Sequence, residues 1–202
     1  MITFLKGTIV TAIPTLVVVD VGGVGYEALI PLSSFSKLPQ PGQSVRLLTH
    51  LNIREDAHVL YGFVTDEERD LFRLLINTVS GIGPKIALNI LSGMSVTAFR
   101  GAVAEGNFKS LSSISGVGKK TAERIVVELK DKIGPSGAWE ASSASRTLPI
   151  AEQRQSDAVL ALIALGIKHP EAQDAVKGAQ ALLGESATVE DLVRASLKKA
   201  SS

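Results

Sequence analysis

SGIGPKIALNIL at residues 80–91 and SGVGKKTAERIV at residues 115–126 lie 35 residues apart and agree at six of twelve positions: Ser, Gly, Gly, Lys, Ala and Ile. Each copy reads Gly-hydrophobic-Gly, then lysine, then a helical run, so the pair predicts a duplicated helix-hairpin-helix unit. Gly81, Gly83, Gly116 and Gly118 permit a tight backbone path, and the helix that follows opens with amides that lack partners within it. A phosphate can accept from those amides and gain from the positive helix end, while Lys85, Lys119 and Lys120 add charge at the rim. Ile82 and Val117 are expected to anchor the hairpins from below. One Gly-x-Gly would serve equally well as a simple helix-to-helix turn. Duplication with lysine held at the same offset favours binding to a phosphate backbone, a contact that positions a duplex without reading its bases.

Outward from this pair the pattern changes. Before residue 65, the runs ITFLKGTIVTA, TLVVVDV, VGYEALI, SVRLLTHLNI and HVLYGF are rich in β-branched residues and broken by Pro14, Gly22–Gly23 and the stretch from Pro39 to Gly42. Five short strands suit a small closed barrel, which hides its edges, and the expected form is a Greek-key barrel of the oligonucleotide-binding type. From Asp66 the period is helical. Asp66, Glu67, Glu68 and Asp70 sit where a helix N-terminus favours acids, and further helices are expected over 84–92, 96–105, 108–113 and 119–132. Residues 134–147 hold ten Gly, Pro, Ser or Ala and read as a linker, where Trp139 is either a docking contact or, as is commoner for a lone aromatic in a tether, incidental. Three short helices follow, with Ser156 expected to cap the first, Pro170 to open the second, and Thr188 with Asp191 to form a capping box. The fold class expected is therefore α+β and multidomain. Its parts are a barrel over 1–64, a tandem hairpin domain over 65–134, a linker over 135–155 and a three-helix bundle over 156–202.

Composition narrows the chemistry. The chain carries 21 basic and 20 acidic residues, a net charge of +1, so any polyanion site must be local. It has no cysteine, which removes thiol catalysis and thiolate metal sites. GVGKKT is not a nucleotide-binding loop, because no glycine precedes it at the required spacing and Lys120 stands before the threonine. His50, His58 and His169 show no metal-binding spacing, and no cofactor or metal is expected. Glu55 and Asp56 form an acidic pair that could hold magnesium for phosphodiester cleavage, but no third carboxylate lies nearby in sequence. No run of eighteen apolar residues occurs, so neither secretion nor a membrane span is expected.

The opening MI-x-x-L-K-G, the segment THLNIREDAHVLYGF at 49–63, and the hairpins SGIGPK and SGVGKKTAERIVVELKDK together resemble the RuvA family, the DNA-binding subunits of the bacterial Holliday junction branch-migration complex. The resemblance covers nearly the whole chain. It implies a non-catalytic homotetramer, single or as two stacked tetramers, that holds four-way Holliday junction DNA open. It carries phosphate binding over to Gly81, Gly83, Lys85, Gly116, Gly118, Lys119, Lys120 and Thr121, and makes Glu55 and Asp56 an acidic pin at the junction centre. Pro84 stands where the second copy has Lys119, so the first hairpin is expected to bind less strongly. The implied partners are RuvB, a hexameric ATPase motor held by the C-terminal bundle, and RuvC, a junction resolvase. The implied setting is cytoplasmic, in recombination, DNA repair and the SOS response. A general duplex-holding adaptor and a nuclease are the competing classes.

Overall fold

Strands form where β-branched residues alternate between glycine and proline breaks, and the five runs become β1 (Phe4–Ile13), β2 (Leu16–Val21), β3 (Val24–Leu29), β4 (Ser44–Ile53) and β5 (His58–Phe63). The structure is a computed structural model, and it describes residues 1–133, 150–184 and 186–200. The strands close a barrel in the order β1-β2-β3-β5-β4. Antiparallel pairs make most of it, and the single parallel pair, Ala28 with Leu60 and Leu29 with Tyr61, closes it. Inside lie Leu5, Ile9, Val17, Val19, Ala28, Ile30, Val45, Leu47 and Leu60. Val24 begins the predicted alternation of β3 but is exposed, because it stands beside the Gly22–Gly23 turn at the barrel's end.

Between β3 and β4 runs a short helix that the sequence pattern does not predict, α1 (Leu32–Phe35). Its Ser34 is fully buried and ties the barrel to the first long helix, α2 (Asp66–Thr78). Ser34 Oγ accepts from the Val64 amide at 3.0 Å and donates to Glu68 Oε2 at 2.5 Å, and Lys37 Nζ reaches Glu68 Oε1 at 3.1 Å. Asp66 and Glu67 remain at the helix start as expected from the dipole, whereas Glu68 is a buried anchor. Leaving that carboxylate without partners would be costly, and the hydroxyl and the ammonium meet the need. Along the same joint Phe72 is wholly buried, its ring 5.0 Å from those of Tyr61 and Phe63 and 5.5 Å from that of His50. Arg73 Nη2 adds a bond to the Thr49 carbonyl at 3.2 Å. Burial, then the Arg73 charge, holds the His50 pKa below the ordinary imidazole value.

The helical series continues as α3 (Pro84–Gly93), α4 (Val96–Ala104), α5 (Phe108–Ser112) and α6 (Lys119–Ile133). Met1–Lys130 forms one compact unit, so the barrel and the hairpin region, expected as separate domains, pack together. The second unit, Asp131–Ser202, holds α7 (Ile150–Ala164), α8 (His169–Leu183) and α9 (Val189–Ala200). Two expectations are corrected here. Helix α7 starts at Ile150, so 150–155 are helical rather than linker, and Ser156 lies inside the helix rather than capping it. Ala151 to Gln155 are good helix formers without an apolar period, so the sequence pattern does not mark this start. The rest of the expected linker, with Trp139, lies outside the described residues. Pro170 does open α8. Thr188 and Asp191 do form the capping box: Thr188 Oγ1 accepts from the Asp191 amide and Asp191 Oδ2 from the Thr188 amide, both at 3.2 Å.

Candidate nucleic-acid interface

The two glycine motifs fold into the same turn. In the first, the Ile82 amide donates to the Val79 carbonyl at 3.1 Å and the Ala87 amide to Gly83 at 3.1 Å; in the second, Val117 donates to Ile114 at 3.0 Å and Ala122 to Gly118 at 2.9 Å. All four bonds map onto each other by the repeat offset. Ile82 and Val117 are 4% and 3% exposed, and so anchor the turns as expected. Above them the chain must reverse within a few residues, and Gly81 and Gly116 do this with φ of +83° and +85°. That region disfavours residues with a Cβ. Gly83 and Gly118, also expected to permit the tight path, play a different part. Neither has positive φ, and a Cβ on either would meet nothing within 4 Å. The turn does not require them, and the space above them is open.

Each turn feeds a helix start. Gly83 is the N-cap of α3, makes no side-chain cap, and is followed by Pro84, which has no amide hydrogen to offer. Helix α6 begins with Lys119, Lys120 and Thr121, each of which keeps its amide. Lys85, Lys119 and Lys120 are exposed, with Thr121 half-buried beside them. The first-turn amides of both helices have no acceptor within their own helix, and exposed lysine lies in the first turn of each. That arrangement can hold an anion, and it is stronger at the second turn.

Side chains from each repeat reach the other's turn. Asn89 Nδ2, on α3, donates to the Ser115 carbonyl at 3.1 Å, and Arg124 Nη1, on α6, donates to the Ser80 carbonyl at 2.6 Å. Glu128 Oε2 accepts from the Ser80 amide at 3.2 Å. Sequence reasoning missed these three residues, although one signal was available: Asn89 and Arg124 occupy the same repeat position, polar in both copies.

Glu55 and Asp56 sit elsewhere in this unit, in the tight connection between β4 and β5. Ile53 pairs with His58, and the Arg54 amide closes the turn on the Ala57 carbonyl at 2.9 Å. Both carboxylates are exposed, as is His58. Among the described residues no three His, Asp or Glu side chains converge as a metal site would need. No single described helix is long and apolar enough to cross a membrane. In the second unit Leu162 and Leu192 are core, while Leu165, Leu182 and Leu183 are 63%, 81% and 44% exposed, a separation that sequence alone could not make.

Comparison with known proteins accounts for these parts in the same order. Residues 1–62 match the family model described as RuvA N terminal domain, 72–131 the SAM-like helix-hairpin-helix tandem, and 153–201 the RuvA C-terminal domain. Relatives named Holliday junction branch migration complex subunit RuvA align along the full length. The protein from Methylococcus capsulatus is 49% identical over 203 residues, covering 99% of each chain. That from Acidithiobacillus ferrooxidans is 47% identical over 206 residues, covering 100% of this chain and 99% of its own. That from Opitutus terrae is 44% identical over 200 residues, covering 98% of this chain and 100% of its own. Barrel, paired hairpins and terminal bundle thus all find their counterparts in one family, and the chain belongs to the RuvA family.

Proposed function

We propose that this chain binds four-way Holliday junctions as the DNA-binding subunit of a branch-migration complex, and that it recruits a hexameric ATP-driven motor, RuvB, to them. The observation that carries the reading is the pair of equivalent turns, each presenting unpaired amides and lysine, within a family whose members are named for that complex. Phosphates of the junction arms accept from the helix-start amides and meet Lys85, Lys119 and Lys120, with Thr121 at the edge of the second site. The open space over Gly83 and Gly118 lets a sugar-phosphate backbone come close. Affinity from such contacts carries little base preference, so selectivity must come from shape.

The acidic turn supplies that shape preference. In a homotetramer, alone or stacked with a second, two carboxylates per chain gather at the crossover. Their repulsion keeps phosphates out of the centre and favours an open junction, while a continuous duplex laid across the same face is penalised. The chain itself does no chemistry on DNA; ATP turnover belongs to the motor. Leu165, Leu182 and Leu183 are exposed apolar residues through which the bundle would meet that motor. RuvC would act on the junction held in this way, and the setting is the bacterial cytoplasm, in recombination and repair.

The test is gel mobility of a four-way junction and of a linear duplex of equal length, with and without the motor. Tighter binding to the junction, with strand exchange only when motor and ATP are both present, supports the reading. Equal affinity for the two DNAs would reduce the chain to a general duplex-holding adaptor.

A further inference from the structure

We infer that Asn89, Arg124 and Glu128 are positioning residues that brace each phosphate-binding turn from the opposite repeat, so that the two turns act as one clamp of set span. The inference rests on the proposed DNA-binding role of the turns, and it adds residues that act on the turns rather than on the phosphates. Asn89 belongs to the first repeat, yet its bond goes to Ser115 in the second turn. Arg124 is the same position of the second repeat, and its bond goes to Ser80, the residue equivalent to Ser115, in the first turn. Glu128, one helical turn beyond Arg124, takes the Ser80 amide, so both backbone polar groups of Ser80 are held from α6.

The turn glycines belong to the same device. A Cβ on Gly81 would stand 3.1 Å from Arg124 Nη1, and one on Gly116 would stand 3.5 Å from Asn89 Nδ2. Arg124 and Asn89 therefore each lie directly against the glycine of positive φ that they steady. A turn held in this way needs less ordering when phosphate arrives, and two turns held by each other present their amides at a fixed separation. The exchange of braces also explains an imbalance. Pro84 deprives the first turn of an amide and a lysine, and it is this turn that receives the charged brace pair, while the better-equipped second turn is steadied by a neutral amide.

The experiment is amide hydrogen exchange of the full chain without DNA, read at Ile82 and Val117, whose amides make equivalent bonds inside the two turns. Junction and duplex affinities are then measured across a salt series. Asn89→Leu should speed exchange at Val117, in the other repeat, by roughly two- to tenfold, the worth of one hydrogen bond, and leave Ile82 unchanged. Arg124→Ala and Glu128→Ala should do the reverse, and Glu128→Gln, whose amide oxygen still accepts, should restore Ile82. Asn89→Leu should also weaken binding to junction and duplex alike with no change in salt slope, because no cation is removed. Faster exchange confined to the variant's own repeat, or no change at either amide, overturns the inference. Failure of the wild-type chain to prefer junctions would instead overturn the functional reading and leave the exchange pattern standing.

Discussion

The two hairpins share a backbone and divide the chemistry unequally. Positions set by geometry are the same in both: glycine at positive φ in Gly81 and Gly116, a buried aliphatic in Ile82 and Val117, a buried alanine in Ala87 and Ala122. Other positions have diverged. The first hairpin has Pro84 and Ile86 where the second has Lys119 and Thr121, and Asn89 where the second has Arg124. Identity between the copies keeps the turn, the core and one lysine, Lys85 and Lys120, with the open glycines Gly83 and Gly118, while difference marks the division of labour. Under the proposed function, the second turn is the one that grips. The first is built to be held in place.

The largest effect expected from this comparison comes from removing the gripping charge. Lys119→Ala with Lys120→Ala should weaken binding to both junction and duplex on the order of tenfold or more, since each charge-assisted hydrogen bond is worth more than a neutral one. The log-affinity against log-salt slope should shrink by about 0.9 for each phosphate that is no longer neutralised. Lys85→Ala should do less, shrinking the slope by at most about 0.9. Equal reductions from the two hairpins, measured in one salt series, would break the claimed inequality.

A smaller effect separates the two glycines of each motif. Gly81→Ala and Gly116→Ala force a Cβ into the left-handed region and should cost about 1–2 kcal/mol of stability in urea unfolding. Gly83→Ala and Gly118→Ala have ordinary φ and open space, so stability should change by no more than about 0.5 kcal/mol. DNA affinity should nevertheless fall, because the new methyl occupies the space where a backbone would approach. If Gly118→Ala left affinity intact, the phosphate would not sit over that residue.

The comparison can also be sharpened by making the first hairpin more like the second. Pro84→Lys restores an amide and adds a cation at the equivalent position. It should steepen the salt slope by about 0.9 and tighten binding a few-fold, at a small cost in helix initiation. No change in slope would mean that the first turn does not face phosphate.

How much of this was legible in the sequence follows from the range over which each feature is decided. The barrel strands and most helix ends were readable because glycine, proline and β-branched residues act on their own backbone. The turns were readable because the duplication repeated both the glycines and the lysine. Four things were hidden for reasons of the same kind. The helix at Leu32–Phe35 is one turn long and leaves no period. The true start of α7 carries helix-forming residues without an apolar stripe. The braces join residues 26, 44 and 48 positions apart through a side chain and a backbone carbonyl or amide, a pairing with no local signature. Glu68 was hidden in plain view, since four acids within five residues look alike until one of them is buried against Ser34.

The smallest expected change lies where the hairpins are contrasted with the acidic turn, for which the proposed role is repulsion. Glu55 and Asp56 are exposed, at the tip of a turn closed by a backbone bond between Arg54 and Ala57. Glu55→Gln with Asp56→Asn should therefore alter stability by no more than about 0.5 kcal/mol. As a plain solvated tip, the pair would also leave both dissociation constants where they were. As a pin, its neutralisation removes repulsion, so binding should tighten by roughly two- to fivefold, the range of an exposed charge interaction. The gain should be larger for linear duplex, which must cross the centre, than for an open junction, which already avoids it. Affinity then rises while the junction-to-duplex ratio falls, a pairing that no weakening of a hairpin can produce. The measurement is both dissociation constants at matched salt, with junction geometry followed by fluorescence energy transfer. An unchanged ratio and geometry in the folded double variant would remove the acidic turn from the mechanism and leave shape selection to the placement of the hairpins alone.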